Sequence, residues 1–562
     1  MRKTFSLLFP LTLLAVTHPA NAQRLDPYSF AEGLGARACI TLPEGLTGKG
    51  ILVGIVDDGI EFNHINFLDP STFQTRVEYA CIFDQGDCIE ARTPEAVSQL
   101  SSNTEGKEHG THVAGIAAGS YAAEGWQGIA PEAKLCLADA NSNLKRYRES
   151  LKNIFAVADS LNLPLVVNMS VGFNKNLDGF DEMTQLCDEL TEQGTRPGRI
   201  ITVSSGNNGN ELTGCEGTIG AEGKARFAIS TGQETGNDED IQGLSFLFQT
   251  LEDSELDFRF FLYDKVTKAE TETGITDLDG NPYDISELKD YVDNVTKSPS
   301  PYRYYSLIGE SLNISKNVVP CVEIIGPEGT ELRYMEDLYS MEDNDYFTPL
   351  REVYGKPNAY ALTSSVISVG NYDTHTSATM IERVSSFGIN KQGEKMPDVV
   401  APGCGIISSV RFYDPDDQYK RYGQREVTMP DGSTKTFNWR TMRGTSQSAP
   451  LVAGLCALML QYDPTLTVNR VRELLHSTND WNEYCDNAPM GPDQAGHGIL
   501  NTRALFEALM GGTSIDAIND APVESPLYDL YGNRLKQAPA QGFYIGNGGK
   551  KVFGVYSHRP AR

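Results

Sequence analysis

The chain is poor in positive charge. Against 75 Asp and Glu it sets only 47 Lys and Arg among 562 residues, a formal net charge of −28. That deficit excludes the basic footprint with which proteins neutralise nucleic-acid phosphates, and it disfavours docking on anionic lipid headgroups. No segment reaches the ~20 consecutive apolar residues of a membrane-spanning helix. No two cysteines are spaced C-x-x-C, so a cysteine-built zinc site is not expected. No internal repeat is visible.

What the chain has is an ordinary globular composition, 40% hydrophobic and 22% charged, at a length that implies roughly two to four domains. Residues 1–22 read as a secretory signal, with Arg2 and Lys3, the apolar stretch from Phe5 to Val16, and the small-x-small site Ala20-Asn21-Ala22. The mature protein is therefore expected outside the cytoplasm, as a periplasmic, cell-surface or extracellular protein. There its ten cysteines are permitted to form disulfides. Cys81 and Cys88 bracket a short polar stretch suited to a local loop closure, whereas Cys136 and Cys456 lie in apolar runs and read as buried small hydrophobes.

From Gly50 onward short apolar runs alternate with helical spacing. Ile51 to Val56 reads as a strand buried on both faces. Leu151, Ile154, Phe155, Ala158 and Leu161 mark a helix, Leu165 to Val167 a strand, Met183, Leu186 and Leu190 a second helix, and Ile200 to Val203 another strand. This rhythm implies a mainly parallel sheet with helices on both faces, a three-layer α/β fold. Over 222–358 the apolar residues instead alternate with period two, as in Leu244, Phe246 and Phe248 and again in Leu256, Phe258, Phe260 and Leu262, which predicts an inserted antiparallel β domain. The acidic excess is concentrated in that stretch. Helix and strand alternation resumes near Ala359. Ser446 to Gln461, apolar on nearly all sides, predicts a central buried helix, and a hairpin is expected around Phe543 to Val555.

Three local patterns carry chemistry. Asp57-Asp58-Gly59 ends the first buried strand, at the sheet edge where sites are built. His109-Gly110-Thr111-His112 opens a helix of small residues, and Gly444-Thr445-Ser446-Gln447-Ser448 opens the central helix. A serine at a helix start has backbone N–H groups and the positive helix end available to stabilise an oxyanion. Each pattern alone is an ordinary turn. Together they supply a carboxylate, an imidazole base and a hydroxyl nucleophile in the chain order Asp, His, Ser. His109 and His112 also have the i, i+3 spacing of a metal pair, but no H-E-x-x-H accompanies them, and His112 and His64 are expected to be packed, structural histidines. Asp277-Leu278-Asp279-Gly280 fails the spacing of a calcium loop.

In these motifs the sequence resembles the subtilisin-like serine proteases (peptidase family S8). The resemblance implies that Asp57 orients the imidazole, His109 acts as general base and then acid, and Ser446 attacks the carbonyl. It places Asn207, in Ser205-Gly206-Asn207-Asn208-Gly209, as the oxyanion asparagine, a residue type equally suited to a left-handed turn. It implies substrate binding at Ser170, Val171, Gly172 and Gly206. The catalytic domain would then comprise 48–221 and 359–512, with 23–47 as lead-in, 222–358 as insert and 513–562 as tail. The insert resembles that of the branch with a jelly roll inserted in the catalytic domain, as in the clostridial germination proteases. The implied partners are protein or peptide substrates, with no cofactor required for catalysis and structural calcium as an optional addition at no particular place. Two departures stand out: Asp58 replaces the Ser or Thr usual after the catalytic aspartate, and Gln23 to Lys49 is shorter than the family's folding-assisting propeptide.

Overall fold

The computed structural model describes residues 34–511, apart from 85–86, 102–107, 123–124, 174–177, 231–238, 252, 297–299, 316, 342–345, 374–379 and 413–422, and the backbone of four short strands between 527 and 555. The signal stretch 1–22 lies outside the described residues.

The chain's apolar runs assemble one large sheet. Its strands are β1 (Leu52–Asp57), β2 (Val77–Asp84), β3 (Asp87–Ala91), β4 (Lys134–Asp139), β5 (Leu165–Met169), β6 (Arg199–Ser204), β7 (Ile367–Asp373), β8 (Met380–Ile381) and β9 (Val399–Pro402). They lie in the order β8-β7-β6-β5-β1-β4-β2-β3, with β9 also beside β7. All pairings are parallel except the two that end the series, β2 with β3 and β7 with β8. β1 sits centrally and every residue in it is buried. Its alternation sorts the layers: Val53 and Ile55 face one helical layer, Leu52 and Val56 the other. The first layer holds α1 (His109–Ala118), α4 (Thr445–Tyr462) and α5 (Val468–Thr478); the second holds α2 (Leu144–Leu161) and α3 (Glu182–Leu190). This is the three-layer α/β arrangement expected from the alternating runs. Apolar on nearly all sides, α4 is buried along its length from Gln447 to Leu460.

Two antiparallel sheets, one of eight strands and one of five, occupy the interval between β6 and β7. Their long strands, Glu239–Leu251 with Tyr302–Ser315 and Asp257–Asp264 with Val318–Ile325, enclose a shared core containing Phe246, Phe248, Phe260 and Ile324. The sheets take in Leu212–Thr218 and end with Arg351–Tyr354. The first of these segments, Leu-Thr-Gly-Cys-Glu-Gly-Thr, lacks the apolar alternation that marks its neighbours; it joins through its pairing and through Cys215, which reaches the shared core. The tail strands Gln541–Ile545 and Lys551–Val555 pair antiparallel, as the hairpin expectation has it.

Cys81 and Cys88 lie on paired strands but out of register, with Cys81 opposite Glu90 and Cys88 opposite Phe83. All ten cysteines are free thiols in this structure. Among the described residues no helix is long and apolar enough to cross a membrane.

One buried ion pair fastens α5 to the sheet. Asp398, just before β9, accepts from Arg472 Nε at 2.8 Å, from His476 Nε2 at 3.0 Å, and from the N–H and hydroxyl of Ser368 at 2.7 and 2.8 Å. Burial alone would push its carboxyl up, but Arg472, His476 and Ser368 outweigh it and hold it below the usual carboxylate range. A carboxylate lowered in the folded state stabilises above its unfolded value of about 3.9 and loses that stabilisation as the pH falls towards its folded value. Arg472→Ala leaves the charge buried without its main partner. A loss of about 3–5 kcal/mol is expected, read as a lowered denaturation midpoint in urea at neutral pH; a shift below about 1 kcal/mol would show that the pair does not hold α5.

Candidate active site

The first carboxylate is positioned by the end of β1. Asp57 is 1% exposed, and the chain turns away at once through Gly59, whose φ of +75° suits glycine. The start of α1 packs directly on this turn. Its first N–H groups, which lack intrahelical acceptors, donate to the carbonyls of Asp58 (from Gly110, 2.7 Å) and Gly59 (from Thr111, 3.2 Å). Gly110 permits the approach: a Cβ there would stand 3.1 Å from Asp57 Cβ and 2.7 Å from Ile60 Cγ1.

His109 is thereby brought against Asp57, with Nδ1 2.7 Å from Oδ1. A carboxylate only accepts, so Nδ1 carries the proton and Nε2 is the basic nitrogen. Asp57 Oδ1 also accepts the Asp58 N–H at 2.7 Å, while Oδ2 is buried with no hydrogen-bond partner among the described residues. Burial pushes the Asp57 carboxyl up, against the opposing charge and hydrogen bond of His109. Burial likewise opposes charging His109, but the Asp57 carboxylate and its hydrogen bond outweigh that, and Asp58 adds to them, so the imidazole sits above its ordinary range.

Asp58 does not point at random. Its Oδ1 accepts the Ser142 N–H at 2.7 Å, and its Oδ2 accepts the Ser142 hydroxyl and the Tyr147 hydroxyl, the latter at 3.0 Å. Glu108, which precedes His109 in the chain, pairs with Arg440, whose charge opposes protonation of the imidazole.

Ser446 is the second residue of α4, where a backbone N–H has no intrahelical acceptor. Gly444 precedes it with φ +131°, and a Cβ there would lie 3.1 Å from Asn207 Oδ1. Pro450 has no N–H to donate to the carbonyl of Ser446 four residues earlier. The Ser170 hydroxyl fills that gap at 2.8 Å, itself accepting from Asn168 Nδ2 at 2.9 Å. The Ser446 hydroxyl donates to the Ser170 carbonyl at 3.3 Å; among the described residues its partner is that oxygen and not His109.

Asn207 lies just past β6, on the opposite side of the α4 start from Ser170. Its Oδ1 accepts both the N–H and the hydroxyl of Thr445, each at 3.0 Å, which identifies the oxygen end of the amide and leaves the NH₂ end free to donate. The left-handed turn belongs to Gly206, at φ +113°, and not to Asn207. Thus the structure gathers Asp57, His109, Ser446 and Asn207 at the carboxyl edge of the sheet, with Ser170, Val171, Gly172 and Gly206 beside them.

The remaining candidates have structural surroundings. His112 Nε2 lies 3.1 Å from the carbonyls of both Ile406 and Arg440, so it donates, and His112 belongs to no set of three metal-compatible side chains among the described residues; burial holds the ring well below its ordinary value. His64 sits among Phe67, Phe437 and Trp439 and is pushed down to about 3 by burial. Asp277 Oδ1 is occupied by the N–H groups of Asp279 and Asn281 at 2.9 and 2.8 Å. Among the described residues one set of metal-compatible side chains converges, Asp373, Glu382 and Cys404. There Glu382 already pairs with Arg443 and accepts the Cys404 thiol at 3.1 Å. A groove of about 1130 Å³ opens beside the edge strand Arg351–Tyr354, lined also by Arg333, Phe387 and Lys395, and none of the four gathered residues borders it. The holders of Asp58 and the Ser170 latch were missed from sequence, where an isolated Ser142, Tyr147 or Pro450 gives no signal.

The family model of the subtilase family matches residues 48–300 and 343–503. The chain is similar to the minor extracellular protease Vpr of Bacillus subtilis, 25% identical over 466 residues that cover 77% of this chain and 48% of the relative. It is similar to the subtilisin-like protease SBT2.3 of Arabidopsis thaliana, 24% identical with 84% and 64% covered. The C5a peptidase of Streptococcus pyogenes is 23% identical, with 84% and 40% covered. The chain spans less than two thirds of the length of each of these relatives. Among solved structures, fervidolysin from Fervidobacterium pennivorans, a keratinolytic enzyme related to subtilisin, matches at 16% identity and TM-score 0.41, covering 89% of this chain and 48% of that one.

Proposed function

The chain belongs to the subtilase family, and from that premise we propose that it is a secreted serine endopeptidase that cleaves peptide bonds through an acyl-enzyme. The observation that carries the reading is the 2.7 Å contact of His109 Nδ1 with the buried Asp57 at the mouth of the helix that begins with Thr445 and Ser446. Asp57 fixes the tautomer and stabilises the imidazolium that forms; His109 Nε2 takes the proton of Ser446 and returns it to the leaving amine. Weakly held by the Ser170 carbonyl, the Ser446 hydroxyl turns to the imidazole when substrate enters; triad hydrogen bonds are often loose before that point. Asn207 Nδ2 and the Ser446 N–H meet the oxyanion. The inserted β domain begins with Leu212–Thr218, ten residues before the 222 expected from the apolar alternation, and ends with Arg351–Tyr354; the chain on either side, from 48 and to 512, forms the catalytic unit, and the insert's acidic surface solubilises or selects partners. Secretion is supported by the signal stretch 1–22 and by relatives named as extracellular proteases.

A fluorophosphonate probe should label the purified mature protein at Ser446, and an unstructured protein substrate should be cut internally. An unlabelled protein, or one that only trims termini, would overturn the proposal.

The pH profile follows from the charges around His109. The base form is the active one, so kcat/KM rises as the pH passes the imidazole's value, which Asp57 and Asp58 hold above the usual 6.5. Asp58→Asn removes one of those negative charges while keeping a side chain that Ser142 and Tyr147 can still bond. The acid limb of kcat/KM should move down by up to about one pH unit. An unmoved limb would mean that the Asp58 charge does not reach the imidazole.

A further inference from the structure

Building on the proposed hydrolysis at Ser446, we propose that Asn358 closes the cleft beside the nucleophile, so that the enzyme takes small, uncharged side chains, glycine, alanine or serine, on the acyl side of the bond it cuts.

The nucleophile stands between two chain segments. One is Ser170–Gly172, joined to Ser446 through the Ser170 hydroxyl and carbonyl; the other is Ser204–Asn207, joined to the same helix start through Asn207 and Thr445. A carbonyl carbon placed at Ser446 with its oxygen at Asn207 Nδ2 directs its own residue's side chain into the gap between these segments. What lies in that gap sets the size the enzyme accepts.

Asn358 lies there, 0% exposed. Its Nδ2 donates to the carbonyl of Val171 at 3.0 Å on one wall and to the carbonyl of Ser204 at 2.9 Å on the other. Its Oδ1 accepts from the N–H groups of Phe173 and Tyr360, both at 3.2 Å, and its own N–H donates to the Ser205 carbonyl at 2.7 Å. The amide therefore spans the cleft as a crossbar with all its donors and acceptors used. It cannot turn aside for a large side chain without giving up four side-chain hydrogen bonds in a buried place.

The crossbar lies close beneath the walls. A Cβ at Gly172 would meet the Asn358 amide atoms at 3.1–3.2 Å, and a Cβ at Gly206 would meet Ser386 Oγ at 2.8 Å and the Asn358 nitrogen at 3.2 Å. Ser386 is itself held, donating to the Lys356 carbonyl and accepting the Asn208 N–H, both at 3.0 Å. There is no depth below the glycine backbones for an aromatic ring. Lys356, whose carbonyl holds Ser386, has its ammonium paired with Glu211 at 3.1 Å, and the other residues named here carry no charge to pair with a lysine or a carboxylate.

The test uses the mature protein and a chromogenic peptide series that differs only in the acyl-side residue: glycine, alanine, phenylalanine or lysine. Wild-type kcat/KM should favour alanine over phenylalanine by about tenfold or more, the scale on which pocket size discriminates. Asn358→Gly should move that ratio towards phenylalanine by about as much. Asn358→Ser serves if the glycine variant does not fold, and folding is scored by fluorophosphonate labelling of Ser446. If neither variant labels, the wild-type ratio decides. A wild-type preference for phenylalanine or lysine, or an unmoved ratio in a variant that labels, overturns the role of Asn358 while the protease stands. A wild-type protein that neither labels nor cleaves removes the hydrolase reading beneath it.

Discussion

Ser446→Ala is expected to lower kcat on an unstructured protein substrate by about 10⁶-fold, the scale known for removing the nucleophile of a subtilisin-type triad. The side chain that is lost makes one long contact, 3.3 Å to the Ser170 carbonyl, so nothing structural depends on it. The frame around it survives. Ser170 still bonds the backbone carbonyl of residue 446, Thr445 still bonds Asn207, and alanine suits a helix position. Thermal unfolding should therefore match wild type within about a degree or two, which separates a chemical loss from a folding one. His109→Ala should cost a similar amount, and the double variant little more than either single one, because the two act as one unit. Retention of more than about one part in a hundred of wild-type turnover by Ser446→Ala would show that another group attacks the substrate. Contaminating protease is controlled by fluorophosphonate labelling, which must vanish in the variant.

These losses concern residues visible in the sequence, and the reason is physical. A parallel strand buried on both faces must be a continuous apolar run, as Leu52 to Val56 is, and a carboxylate at its end is conspicuous. A helix that must start tight against that strand needs glycine after His109, and one that must start beside Asn207 needs glycine before Thr445. Local backbone demands thus write themselves into short motifs. Asn358 has no such trace. It meets Val171 and Ser204 across 187 and 154 residues, with the inserted sheets intervening, so its function depends on where the chain returns and not on its neighbours. The same holds for Ser142 and Tyr147, which reach Asp58 across 84 and 89 residues. The insert was legible as period-two alternation where its strands are half-buried and apolar, and illegible at Leu212–Thr218, where cross-strand pairing and the single core contact of Cys215 make the strand.

Asn207→Ala is expected to lower kcat by about 10²–10³-fold with KM nearly unchanged, because an oxyanion donor acts mainly where negative charge develops in the transition state. The geometry sharpens this expectation. Asn207 is exposed, so its removal opens no core cavity. Its oxygen is tied to Thr445 by two hydrogen bonds, which aim the NH₂ end and prevent it from spending its rotational freedom elsewhere. Asn207→Asp tests the direction of the dipole apart from the shape. Aspartate is nearly isosteric and its carboxylate still accepts both Thr445 donors, yet it presents an anion where the reaction generates one. Its loss should equal or exceed that of alanine, and it should grow as the pH rises through the carboxyl's titration, since only the ionised form repels the oxyanion. Thr445→Ala leaves the backbone N–H in place and removes one of the two anchors; turnover should fall by a smaller factor, of the order of tenfold or less, because one anchor still orients the amide. The ordering Asp at or below Ala, below Thr445→Ala, below wild type is specific to an oriented donor. If Asn207→Asp retained near wild-type kcat at every pH, the side chain would serve only to hold Thr445, and the oxyanion would have to be met by the start of α4 alone.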